Sequence, residues 1–194
     1  MTDATGTPAP RKRQTAEGLL PGGPTAAELV ARMIRVDQAG EYGAKRIYEG
    51  QLAVLGRRPE GPVIRRMAAQ EQRHLDTFDR LLPARRVRPT ALQPFWHVAG
   101  YALGAATALL GKEAAMACTV AVEEVIDDHY ARQAAALGED EAPLRALIEE
   151  FRGDENEHRA IGEAEGAANA PAYGALTGAI KAGARLAIWL SERI

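Results

Sequence analysis

The sequence predicts an all-helical fold, and three observations support that prediction. From Thr25 onward, Ala, Leu, Ile and Val recur at helical spacing, and the alternation that marks β-strands is absent. Clusters of glycine and proline divide this region into segments of helical length. With 194 residues, of which 46% are hydrophobic, the chain is long enough for one domain with a buried core.

The segments follow one another in a simple order. Residues 1–24 are rich in Thr, Pro and Gly and lack the apolar stretch of a secretory signal, so we expect a disordered tail followed by one domain over 25–194. Breaks are predicted at 56–62, 83–94, 111, 138–143 and 169–171. The helices between them are expected at 26–56, 62–82, 94–111, 113–137, 142–168 and 172–192.

The composition excludes several classes of function. A formal charge of −2 lacks the basic footprint of nucleic-acid binding, so no nucleic-acid partner is expected. Cys118 is the single cysteine, which excludes an intramolecular disulfide and cysteine-rich zinc or iron sites, and makes a reducing compartment the expected one. Ser191 is the single serine and is the fourth residue from the end, which argues against a serine triad.

The third and sixth predicted helices have the features of a membrane contact. The segment from Phe95 to Gly111 is nearly free of charge, but its roughly 17 residues fall short of the roughly 20 that a spanning helix requires. Basic residues and indoles flank both helices: Arg85, Arg86, Arg88, Trp96, Lys181, Arg185, Trp189 and Arg193. We therefore expect two helices lying on a membrane surface. The alternative is a buried Ala/Gly-rich helix with solvated arginines.

Four helices carry acids on the face that should be apolar. Helical periodicity places Glu41, Glu71, Glu123 and Glu155 among inward-facing Leu, Ile, Val and aromatic residues. A lone buried carboxylate costs several kcal/mol unless it is protonated or paired, and the same stripes offer no Lys or Arg. Two divalent cations would balance four carboxylates, so the pattern indicates a metal site.

The spacing of the histidines agrees with this interpretation. Glu71 and His74, and likewise Glu155 and His158, lie three residues apart on nearly one helix face, so each pair can direct an oxygen and a nitrogen at one point. Halfway between Glu41 and Glu71 lies a predicted turn, and the same holds for Glu123 and Glu155. All six side chains should therefore converge, as in ferritin-like di-iron or di-manganese bundles. The predicted fold is a ferritin-like four-helix bundle with two additional membrane-facing helices.

The motifs around these residues also resemble a known family, the demethoxyubiquinone hydroxylases of ubiquinone biosynthesis. The similarity runs from about residue 32 to the C-terminus. The matching segments are Asp37-Gln38-Ala39-Gly40-Glu41-Tyr42-Gly43-Ala44, Glu71-Gln72-Arg73-His74, Arg86-Val87-Arg88-Pro89-Thr90, Leu110-Gly111-Lys112-Glu113, Glu123-Glu124, Glu155-Asn156-Glu157-His158 and Leu190-Ser191-Glu192-Arg193.

The resemblance implies a function. It implies hydroxylation by O₂ of the ring of a polyprenylated demethoxyubiquinol, with two Fe²⁺ ions as cofactor. It implies Glu41, Glu71, His74, Glu123, Glu155 and His158 as the iron ligands, with Glu71 and Glu155 bridging. Because the polyprenyl tail stays in the bilayer, we expect a peripheral membrane protein on the cytoplasmic face of a bacterial inner membrane or the matrix face of the mitochondrial one. Expected partners are the quinol, O₂ and the membrane, with other ubiquinone-biosynthesis proteins and a second copy of the chain as candidates.

Four further residues receive provisional roles. Asp37 and Asp154 lie one turn before Glu41 and His158, where a carboxylate could fix the tautomer of a ligand imidazole; the alternative for each is a solvated acid. His129 and Tyr130 follow Glu123 on the same helix and could contact the quinol ring or relay a proton. Cys118 is expected to be a small buried apolar residue.

Other functions stay open at this stage. A ferritin-like protein that binds or stores iron without oxidising a substrate shares the bundle and similar ligands. A rubrerythrin-like peroxidase is less favoured, because the cysteine pairs of its electron-transfer iron are absent. A metal-free membrane-associated module would leave the four buried acids unexplained.

Overall fold

The computed structural model describes residues 23–194, and that part of the chain is all-helical, as predicted. Six α-helices are α1 (Ala26–Leu55), α2 (Gly61–Ala84), α3 (Gln93–Leu109), α4 (Lys112–Ala136), α5 (Ala142–Ala164) and α6 (Tyr173–Ser191). Short 3₁₀ turns at Glu139–Glu141 and Ala167–Asn169 lie between them. The tail predicted for residues 1–24 falls outside the described residues, apart from its last two.

The helix ends follow local chemistry. α1 begins at a capping box in which the Thr25 side chain accepts from the Glu28 amide at 3.2 Å and the Glu28 carboxylate accepts from the Thr25 amide at 2.7 Å. α5 ends four residues before its predicted end, because Gly166 adopts a left-handed conformation with φ of 95°. α2 runs two residues further than predicted, to Ala84, and includes Pro83 in its last turn.

The chain repeats one arrangement of three helices. α1 and α2 form a hairpin around the turn at 56–60, and α4 and α5 form a second around 137–141. The third helix of each half packs on the first, so that α3 lies on α1 and α6 lies on α4. Both predicted midpoints, residue 56 and residue 139, fall in these turns.

α3 packs closely on α1 but stays largely exposed. A Cβ atom on Gly104 would clash with the carbonyl oxygen of Ile47, and one on Gly50 would clash with that of Tyr101, so glycine permits this approach. The outer side of α3 presents Val98 and Leu109 at 65% and 75% exposure. The alternative of a buried α3 is therefore wrong. Between residues 23 and 194, no helix combines the length and apolarity needed to cross a membrane.

The core consists mainly of two apolar clusters separated along the bundle axis. One cluster contains Tyr48, Leu55, Ile64, Met67, Met116 and Val120, and the other contains Ile34, Phe78, Tyr130, Leu144, Ile148 and Phe151. Helices α1, α2 and α4 contribute to both clusters, whereas α5 belongs to the second and packs the partly buried Ile161 against the first. Between them the same helices turn polar side chains inward.

Candidate metal centre

The six predicted ligand side chains meet in the polar band between the two apolar clusters, and each is at most 2% exposed. Their ligand atoms form two groups, each with all atoms within 4.8 Å of one another. One group is Glu41, Glu71, His74 and Glu155, and the other is Glu71, Glu123, Glu155 and His158. Glu71 and Glu155 belong to both groups, which is the arrangement that two bridged metal ions require.

Both imidazoles present Nδ1 to the cluster. His74 Nδ1 lies 3.2 Å from Glu155 Oε1 and 3.5 Å from Glu41 Oε2. His158 Nδ1 lies 3.1 Å from Glu71 Oε1 and 3.2 Å from Glu155 Oε2. The two Glu-x-x-His segments, on antiparallel helices α2 and α5, therefore direct all their donors at a common space.

Several of these donor atoms make no hydrogen bond within the described residues. Both oxygens of Glu71, one oxygen each of Glu41, Glu123 and Glu155, and Nδ1 of His74 are buried without a hydrogen-bond partner in residues 23–194. Buried polar atoms are normally satisfied, so such a cluster calls for an explanation. Carboxylate oxygen together with imidazole nitrogen is a donor set that suits divalent first-row metals such as iron and manganese. The residues therefore fit a two-metal centre.

The electrostatics of the cluster also favour bound positive charge. Burial, reinforced by the charge of Glu155, raises the pKa of both Glu71 and Glu123 well above the ordinary value. Burial would lower the pKa of His74, but its contacts with Glu155 and Glu41 outweigh burial and raise this pKa to about 11. Burial would raise the pKa of Glu155, but the two imidazoles lower it to about 2. The site thus attracts cations, whether protons or metal ions.

The outward nitrogen of each imidazole is held by the opposite helix. His74 Nε2 on α2 lies 2.9 Å from Asp154 Oδ2 on α5, and His158 Nε2 on α5 lies 3.0 Å from Gln70 Oε1 on α2. Asp154 therefore contacts a candidate ligand imidazole. That imidazole belongs to His74 on the opposite helix and not to His158 on the helix of Asp154 itself. Gln70 was missed, and the usable signal is its position directly before the Glu of a Glu-x-x-His segment, which matches that of Asp154.

Two tyrosines hold the remaining glutamates. Tyr48 donates to Glu123 Oε1 at 3.1 Å, and Tyr130 donates to Glu41 Oε1. Each tyrosine lies seven residues after the glutamate of its own helix and reaches the glutamate of the facing helix. Tyr48 had no predicted role, although the Glu-x₆-Tyr spacing occurs in both α1 and α4.

Comparison with known proteins identifies the family of this chain. The family model of ubiquinone biosynthesis protein COQ7 matches residues 28–191. The chain belongs to the COQ7 family. It is 63% identical over 183 residues to 3-demethoxyubiquinol 3-hydroxylase of Rhodospirillum rubrum, covering 94% of this chain and 86% of the relative.

Two eukaryotic relatives are similar over most of their length. The NADPH-dependent 3-demethoxyubiquinone 3-hydroxylase, mitochondrial, of Homo sapiens is 57% identical over 169 residues, covering 85% of this chain and 78% of the relative. The 5-demethoxyubiquinone hydroxylase, mitochondrial, of Saccharomyces cerevisiae is 42% identical over 185 residues, covering 87% and 79%. The resemblance seen in the motifs is thus confirmed over residues 28–191.

One expectation about this COQ7 family site is corrected. Asp37 does not reach a ligand imidazole; it accepts a hydrogen bond from Gln133 Nε2 at 2.8 Å, and its Oδ1 lies 3.4 Å from His129 Nε2. The reason is that Asp37 lies one turn from Glu41 toward the end of the bundle, where α4 presents these two side chains. Asp37 is buried, so it is not a solvated acid either.

His129 and Gln133 connect this buried group to the surface. Both line an open cavity of about 230 Å³, whose wall also includes Met33, Arg132 and Glu192. His129 is followed by Tyr130, whose hydroxyl contacts Glu41, and the ring centroids of His129 and Tyr130 lie 6.3 Å apart. Elsewhere on α4, Cys118 is fully buried among apolar residues, as predicted.

Proposed function

We propose that the chain is an O₂-dependent monooxygenase that hydroxylates the ring of a polyprenylated demethoxyubiquinol, using two ferrous ions held in a ferritin-like four-helix bundle. The observation that carries the proposal is the pair of overlapping donor groups, each with three carboxylates and one imidazole, in a COQ7 family chain. The names of its relatives, which are demethoxyubiquinol or demethoxyubiquinone hydroxylases, support the reaction.

Glu71 and Glu155 would bridge the two ions. Glu41 and His74 would complete one metal position, and Glu123 and His158 would complete the other. When bound, the iron pair would supply two electrons to O₂, so that one oxygen atom enters the ring and the other leaves as water, and a two-electron donor would return the pair to the ferrous state. The apolar clusters on both sides of the polar band exclude bulk water from the centre.

The surrounding side chains would hold the ligands in place. Tyr48 and Tyr130 restrain the terminal glutamates, and Gln70 and Asp154 restrain the imidazoles. In such an arrangement each donor is oriented before the metal arrives, which lowers the cost of binding.

We place the approach of the quinol ring at the cavity beside His129. The imidazole of His129 would donate to a ring oxygen or, together with Tyr130, relay a proton, and Asp37 and Gln133 would orient that imidazole through their contacts with Nε2. Replacing His129 by Ala should lower turnover while iron content stays near that of the unchanged protein. Equal turnover in this variant would contradict the role, and His97→Ala, which removes an exposed histidine, is the matched control.

A surface made by α3 and α6 supports peripheral membrane binding. We define the apolar platform as Phe95, Val98, Leu109, Leu110, Leu186 and Trp189, all more than half exposed. Trp96 Nε1 donates to Ser191 Oγ at 3.1 Å, so the start of α3 and the end of α6 lie together. The platform would rest on the membrane that holds the polyprenyl tail, at the cytoplasmic face of a bacterial inner membrane or the matrix face of a mitochondrial one.

Other ubiquinone-biosynthesis proteins and a second copy of the chain are the candidate protein partners. Residues 25–194 would form the single catalytic domain. Iron storage without substrate oxidation, the other open function, would require assembly into a closed cage, which size-exclusion chromatography without detergent can detect.

The proposed reaction is tested with the purified chain, Fe²⁺, ¹⁸O₂ and a short-chain demethoxyquinol. We expect a product that has gained one labelled oxygen atom. Glu71→Ala should lose both iron and product, and it should keep its helicity because removing one of four buried acids relieves repulsion. Glu157→Ala, on the exposed face of α5, should retain both. Product formation by the iron-free protein would contradict the proposal.

A further inference from the structure

The two halves of the metal centre are nearly related by a two-fold repeat. Glu41 and Tyr48 on α1 correspond to Glu123 and Tyr130 on α4, and each tyrosine donates to the glutamate of the other helix. Glu71 and His74 on α2 correspond in the same way to Glu155 and His158 on α5. The two metal positions therefore have the same inner donors and the same support from tyrosine.

The repeat breaks at the residue behind each imidazole. His74 Nε2 meets the carboxylate of Asp154 at 2.9 Å, whereas His158 Nε2 meets the neutral amide oxygen of Gln70 at 3.0 Å. Arg73 lies 3.4 Å from Asp154, but its side chain is 61% exposed, so water screens this ion pair and leaves most of the carboxylate charge facing His74.

A second difference between the two halves also concerns charge. Four residues before Glu41 stands Asp37, and four residues before Glu123 stands the neutral Thr119. Both side chains are buried. Both of these differences place a buried or partly buried acid on the side of Glu41 and His74, whereas Glu157, the acid that corresponds to Arg73 on the other side, is 56% exposed and screened by water.

From this asymmetry we propose that the two metal positions differ in affinity, and that the His74 position takes the first divalent metal ion. The inference rests on the proposed two-metal site and goes beyond it by ordering the two positions. A carboxylate that accepts from the outer N–H of an imidazole makes the inner nitrogen a stronger donor, and removing such a partner typically costs 10–100-fold in metal affinity. Asp154 thus acts as a positioning residue.

The test uses Co²⁺ added stepwise to the metal-free full chain, followed by visible absorption and titration calorimetry. The unchanged protein should bind two ions in two steps, the first at least about tenfold tighter. Asp154→Asn gives position 154 a neutral amide like that of Gln70, and should weaken the first step by about 10–100-fold so that the two steps merge. Gln70→Glu, the converse change, should strengthen the second step.

The double variant Asp154→Asn/Gln70→Glu should restore two separate steps, because the carboxylate has moved to the other position. Asp76→Asn, which changes an exposed acid on α2 that accepts a hydrogen bond from Gln72, serves as the control and should leave both steps unchanged. The substitutions are isosteric, and circular dichroism of the metal-free variants checks that their folds are intact.

The outcomes separate this inference from the proposed function. Two equal steps in the unchanged protein, or an Asp154→Asn variant that weakens only the second step, would overturn the proposed order while leaving the two-metal site standing. Failure of the chain to bind two Co²⁺ ions would overturn the site itself.

Discussion

Tyr48 on α1 donates a hydrogen bond to Glu123 on α4 over 3.1 Å, across the interface between the two hairpins. The reciprocal bond runs from Tyr130 to Glu41. Outside the polar centre, further hydrogen bonds join the two helices, from Gln133 to Asp37 and from Gln51 to the Ala115 carbonyl. The tyrosine pair links the halves of the bundle at the centre itself, between the two apolar clusters.

Removing this link should destabilise the fold measurably. Tyr48→Phe leaves the buried Glu123 without its tyrosine donor, and we expect a loss of about 1–3 kcal/mol in the free energy of unfolding. Urea unfolding of the metal-free protein measures it. Tyr173→Phe is the control, since within residues 23–194 its hydroxyl has no hydrogen-bond partner. Equal stability of the two variants would contradict the assigned link.

The contrast between these residues shows what the sequence can predict. Glu41 and Glu71 were predictable because an acid on an apolar stripe is a local signal and the turn near residue 56 sets their level. Gln70 was missed although its position matches that of Asp154, because the residue that stands behind an imidazole depends on how far two neighbouring helices are rotated about their axes. In the same way, the rotation of α1 and α4 about their axes places Asp37 beside Gln133 and not beside a ligand imidazole.

Two glycines with different surroundings should change the stability of the fold in opposite directions when replaced by alanine. Gly104→Ala would place a methyl group against the Ile47 carbonyl, and pushing α3 outward should cost about 1–3 kcal/mol. Gly183→Ala, on α6 with open space around it, should instead stabilise by up to about 1 kcal/mol through helix propensity. Thermal unfolding distinguishes them, and a neutral Gly104→Ala would contradict the close packing.

The apolar platform makes a prediction about vesicle binding. Val98→Ser/Leu109→Ser removes two of its most exposed side chains, each of which could contribute up to about 1.5–3 kcal/mol when buried in lipid. We expect binding to mixed phosphatidylcholine and phosphatidylglycerol vesicles to weaken by about tenfold or more, as measured by co-sedimentation. Ala146→Ser, an exposed change on α5, should bind as the unchanged protein does. Unaltered binding of the double variant would exclude the platform.

Cys118 provides a test of burial near the contact of α4 with α3 and α6. Burial raises the pKa of this thiol to about 12, although a contact with Thr107 lowers it slightly. At pH 8 only about one thiol in 10⁴ is then ionised in the native protein, against roughly a quarter for an ordinary cysteine in the unfolded chain. Alkylation by iodoacetamide should therefore be at least about 100-fold slower without urea than with it. Between pH 8 and 11 the native rate should keep rising with pH, because the thiolate fraction rises up to the folded pKa, whereas the rate in urea should level off above the unfolded pKa. Equal rates at pH 8 would mean that the helices around Cys118 do not pack as described.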